Sequence, residues 1–561
     1  MVGSTGELVR KFAERATAAG LTYDCLGDGN FNSEVVIVSE APGPRETQLR
    51  LPLVGGSGQF LWNVLSKFGL RRQHCYITNV VKKQLVDGPK GKEGVSKNEF
   101  SHWKALLDWE LEQLPNVKYV LVLGGMALEA LVGDTGIEKW RGSVVNDGKR
   151  SYIITYNPAL MMRKPNLEPI FYLDISKLDT VMRGQWTDYK IEHLFDPSPR
   201  EAMQWCDRMI QEAKPISLDI ETTAGETACI GMANDAHIGM CINFRSRTDN
   251  RWTLSEEREV RRSIQRVLRH ASTRIVAQNG GFDCGWLWYK DRIRTKSLWL
   301  DTLLAHHTLH PTWPHNLAFL TAQYTQHPYY KDDIHEWREG GDISTFWMYN
   351  VKDCCITWEV ARRLEAELKQ QQMWDFFINH VMKLQPHLIT ATVLGNDVDL
   401  AMREQLNHDY GLEVDRLAAE FKQAARVAAN DPSIDVNPNS PKQLAQLLFQ
   451  TLRLTGKSAS TDEANRNSMI ENPRTSEEAR QMLILLNKYK EQHKLFSTYI
   501  TAAVDEDGRM RSDYKQYGTQ FVPGRLSSSQ TLWGSGMNLQ NQPERLRGMF
   551  IAPKILIPKG V

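Results

Sequence analysis

Four acidic side chains in the middle of the chain have the spacing of a metal-binding cluster. Asp219 and Glu221 are two residues apart in SLDIETT, a predicted β-strand, so both side chains leave the same face of it. Asp283 and Asp353 end the stretches NGGFD and YNVKD, in which the first and last residues would share one face of a helix. One strand and two helices can therefore bring four carboxylates to one point.

Carboxylates gathered in this way repel one another unless cations neutralise them. Hard oxygen ligands select Mg²⁺ or Mn²⁺. Two such ions about 4 Å apart stabilise both the attacking and the departing oxygen in phosphodiester hydrolysis. Tyr349 precedes Asp353 by one helical turn, where its hydroxyl could orient the attacking water. The pattern predicts a phosphodiesterase site with two Mg²⁺ or Mn²⁺ ions as cofactors.

The order and spacing of these motifs resemble the DEDD exonuclease superfamily, in the tyrosine-bearing subclass used for 3′–5′ proofreading. LDTLLAHHTL resembles the Asp-Thr helix of that family, and HNLAFLTAQYTQHPYYKDD resembles a connection found in phage replicative polymerases. The resemblance implies an RNase H-like exonuclease domain that acts on DNA. It also implies that Asn279 and Asp301 contact the substrate strand.

The same resemblance divides the acids between two metal ions. Asp219, Glu221 and Asp353 would hold the ion beside the nucleophilic water. Asp219 and Asp283 would hold the second ion, at the leaving 3′ oxygen, and Tyr349 would position the water. The RNase D group shares these carboxylates, so an RNA exonuclease is the alternative.

Composition places few limits on the rest of the molecule. The 561 residues suffice for about three or four domains, and a net charge of +1 leaves any nucleic-acid site to local basic patches. The eight cysteines show no Cys-x-x-Cys spacing and no paired Cys/His framework, so we expect a reduced protein without zinc. Since the sequence has no secretion signal and no apolar run of membrane-spanning length, we expect a cytoplasmic protein without membrane contact.

The helical region after the acidic motifs resembles family A DNA polymerases, the bacterial polymerase I and phage replicative group. DVNPNSPKQLAQLLFQTLRL, LLNKYKEQHKLFSTYI and DEDGRMRSDYKQYGTQFVPGRLSSSQ occur in the order that forms the thumb and the first palm strands there. The resemblance implies a phage protein in a bacterial host. Its partner would be primer-template or single-stranded DNA.

Polar side chains near the C-terminus are suited to hold a duplex without reading its sequence. Arginines pair with phosphates, while amides and hydroxyls reach phosphates, sugars or minor-groove edges. The alternative is an ordinary polar loop in which amides cap turns. The predicted DNA-binding residues are Arg525, Ser527, Ser528, Asn538, Gln540, Asn541 and Arg547.

Family A polymerases place two palm aspartates and a basic fingers helix after these segments, and the sequence ends at KILIPKGV with neither. We therefore expect that these residues do not extend a primer alone and need a second chain with the remaining palm and the fingers. A split gene, an interrupted gene or a shortened chain would each account for this ending. The alternative from another class is a non-catalytic DNA-binding subunit that completes a split polymerase.

The first part of the chain alternates short apolar runs with helical stretches, which predicts a doubly wound parallel sheet. SEAPGPRE, LPLVGGSGQFLWNVLSKFGL and CYITNVVKK resemble, in this order, blocks of family 4 uracil-DNA glycosylases. Glu40, Asn79 and Asn157 each follow an apolar strand, so they should gather at the carboxyl edge of the sheet, where such folds bind ligands. Asn79 would read a flipped base, and Glu40 would activate water.

The predicted pocket departs from that family at several places. Leu53 replaces the aromatic residue that stacks on uracil, and Asn157 begins Asn-Pro-Ala where the family has His-Pro-Ser. Cys25 and Cys75 are the cysteines of this domain, and Lys83 stands where the family has a cluster ligand. We therefore expect no iron–sulfur cluster. Three roles stay open: a weakened glycosylase, a uracil sensor or a structural DNA-holding module.

Together these patterns predict an α/β multidomain protein that forms the proofreading part of a family A replicative DNA polymerase. The predicted boundaries are 1–184 for a doubly wound glycosylase-like domain, 185–199 for a linker, 200–372 for the RNase H-like exonuclease domain, 373–515 for a helical thumb region and 516–561 for the start of the palm. The oligomeric state is left open by the sequence.

Overall fold

The computed structural model describes residues 3–85, 87–88, 91–92, 95–187, 190–246, 249–338, 340–518, 524–531 and 533–551. The chain folds into two compact units, Met1–Asp283 with Arg294–Asn379 and Cys284–Ile293 with His380–Val561. Residues 552–561, which include KILIPKGV, lie outside the described part. Within that part, no helix is both long and apolar enough to cross a membrane.

A six-stranded sheet forms the centre of the N-terminal domain, and its four middle strands run parallel. In spatial order the strands are Asp28–Gly29, Cys75–Asn79, Val35–Ser39, Tyr119–Leu123, Ser151–Thr155 and Val144–Asn146. The helices of the domain are Thr5–Ala18, Pro44–Leu49, Gly56–Ser66, Lys97–Gln113, Gly125–Leu131, Ile137–Trp140, Ala159–Arg163 and Glu168–Met182. The apolar middle strands are buried almost along their whole length, which confirms the predicted parallel sheet.

Among the described residues of this domain, two ion pairs are buried, Arg141 with Asp174 and Lys82 with Glu110. Lys82 Nζ lies 2.8 Å from Glu110 Oε2, and both side chains are at most 2% exposed. Glu110 also accepts hydrogen bonds from the hydroxyls of Tyr76 at 2.7 Å and Thr78 at 3.1 Å. Burial lowers the pKa of Lys82, whereas the nearby Glu110 carboxylate favours its charged form. The Lys82–Glu110 pair fixes a helix against the end of a central strand.

Replacing Glu110 by alanine should lower the free energy of unfolding by about 3–5 kcal/mol, because it leaves the buried ammonium group of Lys82 without its carboxylate. Urea denaturation of the full chain measures the change. Glu34→Ala is the matched control: Glu34 pairs with Lys118 at 2.5 Å, but both side chains are more than half exposed. Its loss should cost less than about 1 kcal/mol. Equal effects of the two substitutions would contradict the expected role of burial.

A second six-stranded sheet forms the centre of the middle domain. In spatial order its strands are Leu298–Asp301, Ile275–Ala277, Ile216–Thr223, Glu226–Ala233, Ile238–Asn243 and Glu192–Phe195. The third of these pairs in parallel with the second and antiparallel with the fourth, so the sheet is mixed. The helices of this region are Pro199–Glu212, Leu254–Arg269, Gly281–Tyr289, Thr302–Leu309, Leu317–Tyr324, Asp333–Arg338 and Ile343–Gln370.

The segment predicted as a linker, 185–199, contains an edge strand of this sheet. Glu192–Phe195 pairs in parallel with Ile238–Asn243. The next helix begins at Pro199, where Ser198 and Glu201 form a capping box. The predicted linker is therefore partly a strand of the middle domain, and the predicted boundaries stay predictions.

Helices dominate the second unit, as the sequence predicts for 373–515. They are Lys383–Leu394, Leu400–Ala429, Pro441–Ala445, Glu463–Glu471 and Glu477–Lys494, with π-helical turns at Phe377–Met382, Gln446–Thr451 and Leu495–Ile500. Phe421, Met482 and Leu486 are fully buried in the core between the two longest helices. Short strands complete the unit: Asn396–Val398 pairs with Arg509–Met510 and Phe550–Ile551, and Asp513–Lys515 pairs with Ser527–Ser529.

Candidate metal centre and nucleic-acid-binding sites

Three of the predicted acids lie together in the middle domain. Asp219 and Glu221 project from strand Ile216–Thr223, and Asp353 projects from helix Ile343–Gln370. One carboxylate oxygen of each residue lies within 4.8 Å of the other two. Among the residues that the structure describes, this is the one trio of acids, histidines or cysteines with such spacing. The trio has the geometry of a metal-binding cluster, and its function as one stays a prediction.

Asp283 lies beside this trio. Its side chain is 3% exposed, and its Oδ1 accepts a hydrogen bond from the backbone N–H of Ile220 at 2.9 Å. Because Ile220 stands between Asp219 and Glu221, the fourth acid lies against the strand that carries the first two. Its predicted role as a ligand of a second metal ion stays a prediction.

Asn279 and Asp283 do not share one helix, so the geometry assumed for this pair is wrong. The helix begins at Gly281, and Asn279 precedes it with a φ of 59°. The carboxylate of Asp301 closes this turn, since it accepts hydrogen bonds from the backbone N–H groups of Asn279 at 3.1 Å and Gly280 at 2.8 Å. Consecutive glycines favour such a turn over a continuous helix.

Asp301 is also the N-cap of helix Thr302–Leu309. Its Oδ1 accepts hydrogen bonds from the N–H groups of Leu303 at 2.9 Å and Leu304 at 3.3 Å. Burial raises its pKa to about 6, although these backbone donors favour the carboxylate. The structure therefore gives Asp301 the task of holding the turn before Asp283, while its predicted contact with substrate stays a prediction.

Burial and mutual repulsion disfavour the charged forms of the clustered acids. Burial, together with the charges of Asp353 and Glu221, raises the pKa of Asp219 well above its ordinary value. Burial and Asp353 raise the pKa of Glu221 to about 8. Burial and Asp219 raise the pKa of Asp283. A divalent cation would remove this repulsion, and carboxylates are ligands that Mg²⁺ and Mn²⁺ prefer. The donor set fits the predicted ions.

Two residues that the sequence analysis did not single out contact Asp353. Tyr330 donates its hydroxyl to Oδ1 at 2.5 Å, and Lys331 Nζ donates to Oδ2 at 2.5 Å. Lys331 also donates to the hydroxyl oxygen of Tyr349 at 2.8 Å. The signal that could have found them is the aromatic and basic cluster YYKDD between two acidic motifs.

Tyr349 and its neighbour Asn350 complete the site from the long helix. Tyr349 is 8% exposed and lies one turn before Asp353, as the four-residue spacing predicts. Asn350 Nδ2 donates to Asp219 Oδ2 at 2.7 Å, a contact that the sequence analysis missed. Asn350 of this helix therefore holds Asp219, whereas Tyr349 is joined to Asp353 through Lys331.

The predicted DNA-binding residues of the second unit fall into two groups. The exposed ones are Arg525, Gln540, Asn541 and Arg547. Ser528 is instead buried and donates its hydroxyl to Asn538 Oδ1 at 2.7 Å. Ser527 is half-buried in the same short strand. Ser528 and Asn538 therefore join two segments to each other, while the exposed group is accessible to a phosphate backbone.

Glu40 and Asn157 meet at the carboxyl edge of the N-terminal parallel sheet. Asn157 Nδ2 donates to Glu40 Oε2 at 2.8 Å, and the backbone N–H of Met126 donates to Oε1 at 3.2 Å. Gly124 makes room for this carboxylate: its φ is 96°, and a Cβ atom there would stand 2.6 Å from Glu40 Cδ. The Glu40 side chain is therefore held in one orientation.

Asn79 ends a neighbouring strand and is 2% exposed. Its Nδ2 has no hydrogen-bond partner within the described part of the chain. A buried polar group left unpaired costs about 1–3 kcal/mol, so such an amide is rare unless a ligand or water satisfies it. Leu53, the other predicted pocket residue, is also buried, and its φ is 52°. Glu46 holds the loop after Leu53, because its carboxylate accepts a hydrogen bond from the Gly55 N–H at 2.6 Å.

Lys83, which stands where the family has a cluster ligand, forms an ion pair. Lys83 Nζ lies 2.6 Å from Glu99 Oε1. Cys25 and Cys75 are buried, and burial raises the pKa of each thiol to about 12. The absence of an iron–sulfur cluster stays a prediction.

Family comparisons divide the chain in the order that the sequence predicts. Residues 26–176 match the uracil DNA glycosylase superfamily. A type-4 uracil-DNA glycosylase from Pyrobaculum aerophilum is 32% identical over 162 residues, which are 27% of this chain and 79% of that protein. Through its N-terminal domain, the chain belongs to the uracil-DNA glycosylase superfamily. Residues 198–369 match the 3′-5′ exonuclease family, and residues 401–558 match DNA polymerase family A.

These glycosylase, exonuclease and polymerase regions confirm the predicted architecture. A DNA polymerase from Escherichia phage T5 is 23% identical over 481 residues, which are 78% of this chain and 54% of that protein. The chain thus spans about half the length of that relative. A solved structure of the POL domain of Pol1 from M. smegmatis, in complex with DNA primer-template and dNTP, aligns at a TM-score of 0.47 and 19% identity, over 64% of this chain and 57% of that chain.

Proposed function

We propose that this chain removes nucleotides from the 3′ end of DNA by two-metal hydrolysis, as the proofreading part of a replicative polymerase. The observation that carries the proposal is the trio Asp219, Glu221 and Asp353, whose carboxylate oxygens are spaced to share a divalent ion. The exonuclease family match over 198–369 supports the same reaction. Mg²⁺ or Mn²⁺ bound there would neutralise charge on both oxygens of the scissile bond.

The side chains of this site have separate tasks in the proposed reaction. The three acids bind the ions, with Asp283 beside them. Tyr349 accepts a hydrogen bond from Lys331 on its hydroxyl oxygen, so its own proton can be donated to the attacking water. The turn that Asp301 closes places Asn279 at the entrance of helix Gly281–Tyr289, next to the acids.

A terminal-mismatch assay tests the proposal. A 5′-labelled DNA primer with one mismatched 3′ nucleotide is incubated with the full chain, with Mg²⁺ and then with excess EDTA. We expect stepwise loss of the 3′ nucleotide that stops when EDTA is added. An RNA strand of the same sequence separates the alternative, because faster degradation of RNA would favour an RNase D-like role. Intact primer with Mg²⁺ would contradict the proposal.

We propose a second function for the N-terminal domain, the binding of uracil in single-stranded DNA. The observation that favours it is the buried Asn79 amide, which has an unpaired donor where the fold binds ligands. An amide can pair with the Watson–Crick edge of a flipped base. Glu40, fixed by Asn157 and Met126, is placed to activate water if uracil is also excised.

Asn79→Ala should remove the preference for uracil over cytosine in single-stranded DNA, which we expect to be about tenfold in Kd, since the two bases differ on the Watson–Crick edge that the amide would contact and one paired polar group contributes roughly 1–3 kcal/mol. Fluorescence anisotropy in EDTA measures binding while the exonuclease is inactive. Glu40→Ala should keep the preference and abolish any uracil release. If the unmodified chain neither releases uracil nor prefers it, only the structural DNA-holding role remains.

We also propose that the exposed residues of the second unit bind primer-template DNA through its backbone. Arg525 and Arg547 would contact phosphates, and Gln540 and Asn541 would contact sugars or minor-groove edges. The need for a second chain stays a prediction, which primer extension by these 561 residues alone would contradict. A non-catalytic DNA-binding subunit is the alternative, and the terminal-mismatch assay distinguishes it.

A further inference from the structure

Residues 329–332, which we call the bridging segment, contact the N-terminal domain on one side. The backbone N–H of Tyr329 donates to Ser143 Oγ at 3.0 Å. The ring of Tyr329 packs against Trp140, with centroids 5.3 Å apart. Asp332 at the other end of the segment lies 3.2 Å from Lys139 Nζ. Residues 139–143 of the N-terminal domain thus hold both ends of the bridging segment.

The middle of the same segment contacts the acidic cluster. Tyr330 and Lys331 each donate to one carboxylate oxygen of Asp353, so both oxygens are held. Lys331 is one-fifth exposed and also donates to Tyr349. Four consecutive residues therefore join the N-terminal domain to the side chains expected to bind metal and orient water.

Buried polar contacts fix the two domains next to this segment. Lys177 Nζ, from the last helix of the N-terminal domain, donates to the carbonyl of Gly142 at 2.5 Å and to the carbonyl of Ala322 in the middle domain. The guanidinium of Arg141 lies 5.0 Å from the ring of Phe319. A Cβ atom at Gly142 would stand 3.2 Å from Ala322 Cβ, so the backbones approach closely. Residues 139–143 are therefore packed directly against the middle domain.

We propose that the N-terminal domain positions the exonuclease site through the bridging segment, with Lys331 as the positioning residue. This inference rests on the exonuclease function proposed above. Lys331 contacts the Tyr349 hydroxyl and one Asp353 oxygen, and residues 139–143 hold Tyr329 and Asp332 on either side of it. Small displacements of such groups slow the chemical step more than they weaken substrate binding, and a shift of about 1 Å can cost roughly 100-fold in rate.

Single-turnover kinetics on the mismatched primer, at saturating Mg²⁺, test both sets of contacts: those of Lys331 with the acidic cluster and those of the N-terminal domain with the bridging segment. Lys331→Met keeps most of the aliphatic side chain and removes the charge, and it should lower the rate constant by about 30- to 100-fold with DNA affinity unchanged. Trp140→Ala, in the other domain, should lower the rate constant by about three- to tenfold, again without weaker DNA binding. An unchanged rate for either variant would overturn the proposal.

A double-mutant cycle separates positioning from a general loss of stability. If Trp140 acts through Lys331, then the double variant Trp140→Ala, Lys331→Met should be no slower than Lys331→Met alone. Multiplied effects would show that Trp140 acts by another route and would overturn the coupling. Thermal unfolding of each variant, monitored by circular dichroism, shows whether the fold is retained. If Trp140→Ala unfolds the domain, Ser143→Ala replaces it in the same cycle.

Two exposed lysines of the N-terminal domain provide a matched control. Lys139 pairs with Asp332 of the bridging segment, whereas Lys118 pairs with Glu34 of its own domain, and both lysines are more than half exposed. Lys139→Ala should slow the exonuclease by about two- to threefold, and Lys118→Ala should not. Equal rates for these two variants would count against the coupling. Failure of the proposed function looks different, because the unmodified chain itself would then be inactive.

Discussion

Replacing Asp219 by alanine should reduce Mg²⁺-dependent removal of a mismatched 3′ nucleotide by at least about a thousandfold, which corresponds to roughly 4 kcal/mol in the barrier. Asp219 lies in the centre of the cluster, with Glu221 on the same strand face and Asp353 on the facing helix. It is the acid expected to touch both ions, so its loss should impair both. Single-turnover kinetics on a labelled primer measure the rate.

Asp207→Ala is the matched control for this substitution. Asp207 lies in the same domain, is about half exposed and pairs with Arg266 on the surface. Its replacement should leave the rate within about twofold, because exposed pairs contribute little. Primer binding, measured by anisotropy in EDTA, should be equal in both variants. An Asp219→Ala protein that still removes the mismatch at the normal rate would refute the metal assignment.

Mg²⁺ should bind more weakly as the pH falls from about 8 to 6, by up to about tenfold per pH unit for each proton displaced. Burial and neighbouring charge raise the pKa of Glu221 from its ordinary value of 4.5 to about 8. Most of this group is therefore protonated at neutral pH in the metal-free protein, and the ion binds only the carboxylate. Calorimetry in buffers of different ionisation enthalpy counts the protons released.

The raised pKa of Glu221 also determines how the stability of the protein changes with pH. Because the pKa of Glu221 is higher in the fold than in the unfolded chain, the folded protein binds more protons between about pH 4.5 and 8. The metal-free protein should then lose stability as the pH rises through this window, and Mg²⁺ should restore more stability at pH 8 than at pH 6. The Glu221→Gln variant should release fewer protons when Mg²⁺ binds. Its Mg²⁺ affinity and its stability should both depend less on pH. Proton release equal to that of the unmodified chain would contradict the assignment.

Local geometry explains why part of the candidate site could be predicted. Asp219 and Glu221 share a face because strand side chains alternate, and Tyr349 and Asp353 share a face because four residues make about one helical turn. Neither relation depends on the rest of the fold. The convergence of these elements in the structure follows from the sheet and the long helix that covers it.

Non-local contacts explain what the sequence could not show. The turn before Asp283 replaces a helical turn because Asp301, from another strand, accepts hydrogen bonds from it. Lys331 reaches Asp353 only because the chain between the motifs folds back over the cluster. Ser528 and Asn538, which are predicted DNA contacts, also bond to each other in the fold, while their contact with DNA stays a prediction. A single sequence does not reveal such pairings, since they depend on tertiary approach.

The parallel topology of the N-terminal domain made its ligand edge predictable, because successive parallel strands end at the same edge. The orientation of Glu40 was not predictable. It depends on the absence of a side chain at Gly124 and on a hydrogen bond from the amide of Asn157, which lies more than a hundred residues away in the sequence. Likewise, the α/β pattern predicted the middle domain, but the strand Glu192–Phe195 of that domain was assigned to the linker 185–199.

That strand, Glu192–Phe195, has a consequence for how such chains can be divided or recombined. A middle-domain module cut at residue 200 would leave Ile238–Asn243 as an open sheet edge, and exposed edges pair readily with other molecules. Starting the module near residue 190 would keep that edge covered. Any exchange of this domain between related chains must therefore carry residues 190–199 along as part of it.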